Sequence, residues 1–128
     1  MAGVNERNAD ISDWLEEEIN KETRATAFVI MRDLTLSAAV DDGFLKGNFN
    51  VSIGAPSNYT TDVVDKSGSA TVSRNLSIIE SAKNIDYPTL YVENNLPYAY
   101  RIMEDGYSRD KQTPDKQMSI VIQKAINR

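Results

Sequence analysis

The stretch TLYVENNLPYAYRIMEDG at residues 89–106 constrains the fold more than any other, because it encodes a strand, a turn and a short helix in succession. Its first residues have the β-branched and aromatic bias of a strand. Asn94 and Asn95 then predict a turn, and Asn95 is also a candidate N-cap. A helix is expected from Tyr98, where apolar residues recur at helical spacing, to a stop at Gly106.

A second strand is predicted at residues 48–53, where Phe49, Val51 and Ile53 alternate with polar residues. The next stretch, residues 57–69, mixes tyrosine, threonine and valine with asparagine, aspartate, serine and glycine. This composition leaves open a loop or a short strand between loops. A long exposed segment in a compact domain more often serves contact than packing, so an interaction role is expected for it.

Three further helices are predicted from apolar periodicity. The first covers residues 10–39, with Ile11, Trp14, Leu15 and Ile19 on one face and Ala25, Phe28, Val29, Leu34 and Leu36 continuing the pattern. The second starts at Ser69 or Thr71 and carries Leu76, Ile79 and Ala82 on one side. The third follows Thr113-Pro114 and buries Met118, Val121, Ile122 and Ala125.

The whole chain, residues 1–128, is therefore expected to form one domain of the α+β class. It would combine a long N-terminal helix, a small antiparallel β-sheet and additional helices packed on one face, including a C-terminal helix. Residues 1–9 are small and polar, and they are expected to form a flexible N-terminal arm.

Composition removes several functional classes. The chain has no cysteine and no histidine, which excludes disulfides, thiolate catalysis, cysteine or histidine zinc sites and nucleophile–histidine pairs within it. Its net charge of −5 argues against a surface devoted to polyphosphate. No apolar run approaches the length of a membrane span, and no leader is recognisable, so a cytoplasmic protein without membrane contact is expected.

Two blocks of residues carry a resemblance to a known family. One comprises Asn94, Asn95, Pro97, Tyr98, Ala99, Glu104, Gly106 and Ser108, and the other comprises Gly43, Gly47, Asn48, Phe49, Gly54 and Pro56. Over roughly residues 35–125 the chain resembles the neck proteins of tailed bacteriophages, also called tail-completion or head–tail connector proteins. The resemblance implies a structural virion protein, with no enzymatic activity and no cofactor or metal.

Such proteins form homo-oligomeric rings, commonly hexameric, between the head and the tail. The resemblance therefore implies assembly in the host cytoplasm, a place in the virion at the head–tail junction, and contacts with itself, with portal or head-adaptor proteins and with tail proteins. Genomic DNA would pass through the ring without specific binding. Residues expected at interfaces lie at 57–69 and 107–113, and they include Tyr59, Val63, Val64, Tyr107 and Arg109.

Three other interpretations remain open from the sequence. The first is a tail terminator ring that caps the tail tube. The second is a small single-strand nucleic-acid module, in which the tyrosines interleaved with Arg101 and Arg109 would stack on bases. The third is a glycan-cleaving enzyme that uses Glu104 and a second carboxylate. The acidic pairs Asp41-Asp42 and Glu104-Asp105 border glycines at predicted helix ends, where polar residues are ordinary, so a catalytic role is disfavoured.

Overall fold

The computed structural model describes residues 3–38, 43–105 and 116–128, and the fold is given for these residues. The elements in chain order are α1 (Gly3–Ser37), α2 (Phe44–Gly47), β1 (Phe49–Ile53), α3 (Ser69–Ser81) with a 3-10 turn (Ala82–Asn84), β2 (Leu90–Asn94), α4 (Ala99–Asp105) and α5 (Gln117–Ile126). The domain is of the α+β class, as predicted, with a long N-terminal helix and a C-terminal helix.

The two predicted strands pair with each other. β1 and β2 are antiparallel, with Phe49 opposite Asn94 and Ile53 opposite Leu90. In the described part of the chain this pair is the whole sheet. A two-stranded sheet is not stable alone in water, so α1 and α3 supply the burial that it needs.

The apolar core falls into two clusters along the inner side of α1. One contains Leu34, Ala38, Leu45, Phe49, Ala99, Met103 and Val121, and the other contains Ala27, Met31, Val51 and Ile79. Phe49 and Val51 are two residues apart on β1 and therefore face the same side of the sheet, where Phe49 joins the first cluster and Val51 joins the second. The N-terminal helix therefore connects the sheet and α3 with α4 and α5.

The prediction of a long first helix is confirmed, and its first apolar face does not contribute to the core. The helix begins at Gly3 instead of near Asp10, so it includes residues 3–9 of the predicted flexible arm. Its apolar residues Ile11, Trp14, Leu15 and Ile19 are exposed. The contact of α1 with the rest of the domain begins near Asn20. This residue is buried and donates hydrogen bonds to the carbonyls of Ala82 and Ile85.

Of the three residues predicted on one side of the helix that starts near Ser69, Ile79 and Ala82 are buried, and Ala82 lies in the 3-10 turn that follows α3. Leu76 is exposed, and the buried residues of α3 are Thr71, Asn75 and Ile79. Asn75 takes the inner position because its amide bonds the free edge of β1. Its Nδ2 donates to the carbonyl of Phe49 at 2.8 Å, and its Oδ1 accepts from the N–H of Val51 at 3.1 Å. The Asn75 side chain thus makes two of the hydrogen bonds that a third strand would make with β1.

The C-terminal helix buries Val121 and Ala125, as predicted, and Met118 and Ile122 are half-buried. It is tied to α4 through Glu104, whose carboxylate accepts the hydroxyl of Ser119 at 2.7 and 2.9 Å. The predicted helix ends at Ala39 and Gly106 and the predicted helix start at Thr113-Pro114 lie outside the described residues.

Candidate functional site

Residues 57–65 cross the surface and belong to no helix or strand, which resolves the alternative left open by the sequence in favour of a loop. The side chain of Asn48, fully buried, holds the middle of this segment. Its Nδ2 donates to the carbonyl of Thr61, and its Oδ1 accepts from the N–H of the same residue, both at 2.9 Å. This is the pair of bonds that a neighbouring strand would make, supplied by one amide.

Two residues near the end of β2 hold the beginning of the segment. Asn95 donates through Nδ2 to the carbonyls of Ser57 and Tyr59, at 2.9 and 3.1 Å. Glu93 accepts the N–H of Ser57 at 2.9 Å. The prediction of Asn95 as an N-cap is therefore wrong, because its amide faces the 57–65 segment and α4 begins only at Ala99.

The outer edge of the 57–65 segment is open. The backbone N–H groups of the alternate residues Asn58, Thr60, Asp62 and Val64 have no protein partner within the described residues. The segment also exposes Val63 and Val64, by 66 and 51 %, and Tyr59 by 38 %. A backbone segment with one edge tied and one edge free can accept a strand from another molecule.

Arg74 on α3 supports the segment from one side. Its guanidinium lies 5.0 Å from the centre of the Tyr59 ring, and it also donates to the carbonyl of Phe49 at 2.6 Å. The arginine thus connects the exposed tyrosine with the edge of β1. This contact holds the Tyr59 ring against the domain although the ring is partly exposed.

Two glycines of the sequence block at residues 43–56 are needed where the 57–65 segment passes closest to α2. A Cβ on Gly43 would lie 2.8 Å from Val64 Cγ1 and 3.0 Å from the nitrogen of Asp65, and a Cβ on Gly47 would lie 2.8 Å from the carbonyl oxygen of Val63. Gly43 also has a φ of +77° and accepts the N–H of Asp65 through its carbonyl. These glycines therefore allow α2 to lie directly against the segment.

Replacing Gly43 with alanine is expected to destabilise the domain more than replacing Gly54. Both residues have positive φ, +77° and +82°, so both variants carry a similar backbone strain. Only Gly43 is crowded, since nothing lies within 4 Å of a Cβ on Gly54. Gly43→Ala should lower the free energy of unfolding by about 1–3 kcal/mol more than Gly54→Ala does, as measured by urea unfolding. Equal losses for the two variants would contradict the packing of α2 against the segment.

Asp65 joins the end of the segment to the start of α3. Its carboxylate accepts the N–H of Gly68 at 3.0 Å, and the N–H and hydroxyl of Thr71 at 2.8 and 2.6 Å. Burial alone would raise the pKa of Asp65, but the hydrogen bonds from Thr71, Gly68 and Ser67 outweigh it, so the pKa lies below its usual 3.8. The ionised carboxylate thus acts as the cap of α3.

The lowered pKa of Asp65 predicts a loss of stability in acid. The stabilisation is present above about pH 4, and it is lost as pH falls through the lower folded-state value. Replacing Thr71 with valine removes the hydroxyl donor and should cost about 1.5–3 kcal/mol at pH 7. The difference between the two proteins should shrink at pH 2, measured by urea unfolding across pH. A difference independent of pH would contradict this assignment.

Lys46 is a buried cation that the sequence analysis did not single out. It is 3 % exposed, and its Nζ donates to the carbonyls of Thr35 and Leu36, at 2.9 and 2.8 Å, in the last turn of α1. Burial lowers the pKa of Lys46, and the nearby carboxylate of Asp65 opposes that change. The lysine satisfies carbonyls that the end of a helix leaves unpaired, so its role is structural.

The structure brings together some of the sequence-predicted residues and leaves others apart. Gly43, Gly47, Asn48 and Asn95 contact the 57–65 segment, and Asn94 supports them by donating to the carbonyl of Leu45 at 2.8 Å. Residues that lie elsewhere are the buried Phe49 and Ala99, the exposed Gly54, Pro56, Pro97 and Tyr98, and Glu104 between α4 and α5. Gly106, Tyr107, Ser108 and Arg109 lie outside the described residues.

The described residues contain no cluster of three or more acidic side chains placed to hold a metal ion. They also contain no helix with both the length and the apolar character required to cross a bilayer. Every buried side-chain nitrogen or oxygen among them has a hydrogen-bond partner. The open edge of the 57–65 segment is therefore the strongest candidate for the functional site.

The chain was compared with models of protein families, with curated proteins and with solved structures. None of the three comparisons finds a match.

Proposed function

We propose that this protein is a structural component of a tailed-phage virion that forms a homo-oligomeric ring at the head–tail junction. The ring completes or joins the tail and surrounds the passage of the genomic DNA. Its partners are copies of itself, a portal or head-adaptor protein on one side and tail proteins on the other.

One observation carries the proposal. The residues through which the sequence resembles neck proteins come from two separate blocks, and several of them meet at the 57–65 segment. Gly43, Gly47 and Asn48 belong to the block at residues 43–56, and Asn95 belongs to the block at residues 94–108. Their shared effect is to hold an exposed loop segment with a free backbone edge in place, which suits assembly better than catalysis.

The open edge suits contact with another chain. Backbone pairing supplies affinity, and the exposed Tyr59, Val63 and Val64 side chains supply specificity. A closed ring needs heterologous contacts, in which each subunit presents different surfaces to its two neighbours. The segment serves as one such surface, either toward the next subunit or toward an adjacent ring.

The acidic charge is compatible with a DNA passage. At a net charge of −5 the chain repels phosphate on average, so DNA can move through a ring of such subunits without being held. A ring that caps the tail tube is the alternative assembly, and it uses the same surfaces. Docking to tail tubes instead of connector particles distinguishes the two.

The proposal is tested by the mass and symmetry of the purified protein, alone and mixed with connector particles of the same phage. Light scattering and negative-stain microscopy should show rings, either free or on the connectors. The variant Thr60→Pro removes an outward N–H and should remain folded but fail to assemble. The matched variant Thr60→Ala keeps the N–H and should assemble like the wild type.

Point variants are preferable to removal of the segment. Deleting residues 57–69 would leave the buried amide of Asn48 without Thr61 and would remove the Asp65 cap of α3. A wild-type protein that stays monomeric at high concentration and never docks on connectors or tail tubes would refute the proposed function. If Thr60→Pro assembles normally, the role of the segment's open edge is refuted and the proposed ring is not.

A further inference from the structure

The first half of α1 carries an apolar stripe that its own domain leaves exposed. We call residues 10–19 the arm, which is distinct from residues 1–9, for which the sequence predicts a flexible segment. The stripe consists of Ile11, Trp14, Leu15 and Ile19, with exposed fractions of 63, 61, 46 and 39 %. A continuous exposed row of large apolar side chains that includes a tryptophan is typical of a contact surface.

Helix geometry explains why the domain cannot cover this stripe. Leu15 and the fully buried Met31 lie sixteen positions apart, and a rotation of about 100° per residue places them about 160° apart around the axis. The inner side of the helix is fixed by the buried Asn20, which bonds the carbonyls of Ala82 and Ile85. The apolar side of the arm therefore points away from the core.

An apolar groove of about 500 Å³ lies where α1, β2 and α5 meet. Its apolar walls are Ala27 and Ile30 of α1, Leu90 and Val92 of β2, and Ile122 of α5. The short side chains of Thr26 and Ala27 leave this space between the elements. Ile126, one turn beyond Ile122 and 65 % exposed, extends the wall outward.

The arm and the C-terminal helix carry opposite net charges, although the residues that line the groove include one acidic side chain, Glu22, and no basic one. Residues 10–19 contain five acidic side chains and no basic one, whereas residues 116–128, which contain α5, have three basic side chains and no acidic one. Arg128 lies at the edge of the groove, where it is hydrogen-bonded to Glu22 and Thr26. Asp13, Glu16 and Glu17 line a separate pocket beside Asn20, away from the apolar stripe, so the opposite charges attract the two chains over a distance and the contact itself rests on the apolar side chains.

The arm cannot enter the groove of its own chain, because α1 is a single helix that contributes to both. We propose that the arm of one copy docks into the groove of a second copy, with Trp14 as the central anchor. This inference rests on the proposed ring and identifies its subunit contact. The contact joins two different surfaces, so repeating it produces a closed ring or a filament and not an isolated pair.

Crosslinking tests the contact directly because the chain has no cysteine of its own. The variant Ile11→Cys/Thr23→Cys places one thiol on the arm and one at the groove. Within one chain the two positions are separated by about 18 Å of rigid helix, which a short bismaleimide cannot bridge. The double variant should give a ladder of covalent oligomers up to the ring size, and each single variant should give none.

A second measurement tests the anchor. Trp14→Ala should weaken self-association by about thirtyfold or more in sedimentation velocity, because a buried tryptophan is a typical interface hot spot. Tyr100→Ala removes an aromatic side chain of similar exposure, 64 %, from a different helix and serves as the control. Both variants should keep the thermal midpoint of the wild type, since neither side chain is buried in the monomer.

The outcomes separate the contact from the ring. Wild-type rings without a crosslinked ladder, or with unchanged association of Trp14→Ala, would overturn this contact and leave the ring proposal standing. Covalent dimers without higher species would indicate a two-fold pairing and would also overturn it. A wild type that never associates, alone or on connectors, would overturn both proposals.

Discussion

Replacing Asn75 with alanine is expected to destabilise the domain by about 3 kcal/mol and to lower its thermal midpoint by on the order of 10 °C. The Asn75 side chain is fully buried and bonds the carbonyl of Phe49 and the N–H of Val51. Alanine leaves the Val51 N–H without a partner in a site that water does not reach. The Phe49 carbonyl keeps its bond from Arg74, so the largest part of the loss comes from the N–H.

The matched control for Asn75→Ala is Ser73→Ala, which shortens an exposed side chain on the same helix. This control should change the free energy of unfolding by less than about 0.5 kcal/mol. Both values are obtained from urea unfolding followed by circular dichroism. A loss below about 1 kcal/mol for Asn75→Ala would mean that the edge of β1 is not held by this amide.

Replacing Asn48 with aspartate is expected to cost about 4 kcal/mol or more at pH 7, although the two side chains have the same shape. The Nδ2 of Asn48 donates to the carbonyls of Phe44 and Thr61, at 2.8 and 2.9 Å. In the variant a carboxylate oxygen faces both carbonyl oxygens, and its charge lies in a site with no exposure. Repulsion and desolvation therefore act in the same direction.

The pH dependence identifies the cause of the Asn48→Asp effect. The pKa of the new carboxyl should be raised in the folded state, because burial disfavours its charge. The loss should therefore decrease as pH falls through that raised value, when the neutral carboxyl can donate to one carbonyl. Asn58→Asp makes the same change at an exposed position of the 57–65 segment and should have little effect. A similar small effect at both positions would contradict the proposed role of Asn48.

Much of the fold could be predicted because its signals are local. Alternation of Phe49, Val51 and Ile53 indicated β1, and the bias of residues 89–92 toward branched and aromatic side chains indicated β2. The long first helix was also recognisable, but its orientation was not. Apolar residues at helical spacing show that a face exists without showing whether the chain's own core or another molecule covers it, and Trp14 illustrates the difference.

The roles of the asparagines were harder to predict. Asn94 and Asn95 look like turn residues by composition, and Asn75 interrupts an otherwise apolar helix face. Their bonds reach residues that are distant in sequence, such as Asn95 with Ser57 and Asn75 with Phe49. The available signal was Asn75 itself, since a polar residue at an inward helix position predicts a buried backbone group that needs a partner.

The way in which the 57–65 segment is held has a consequence for how its sequence can vary. Asn48 and Asn95 contact backbone atoms of Ser57, Tyr59 and Thr61, which every residue type except proline provides alike. The scaffold is therefore largely indifferent to which side chains the segment displays outward. If the segment pairs with another chain as proposed, substitutions of its exposed Asn58, Thr60 and Asp62 can change the choice of partner with little effect on stability, whereas Asp65 is constrained because its carboxylate caps α3.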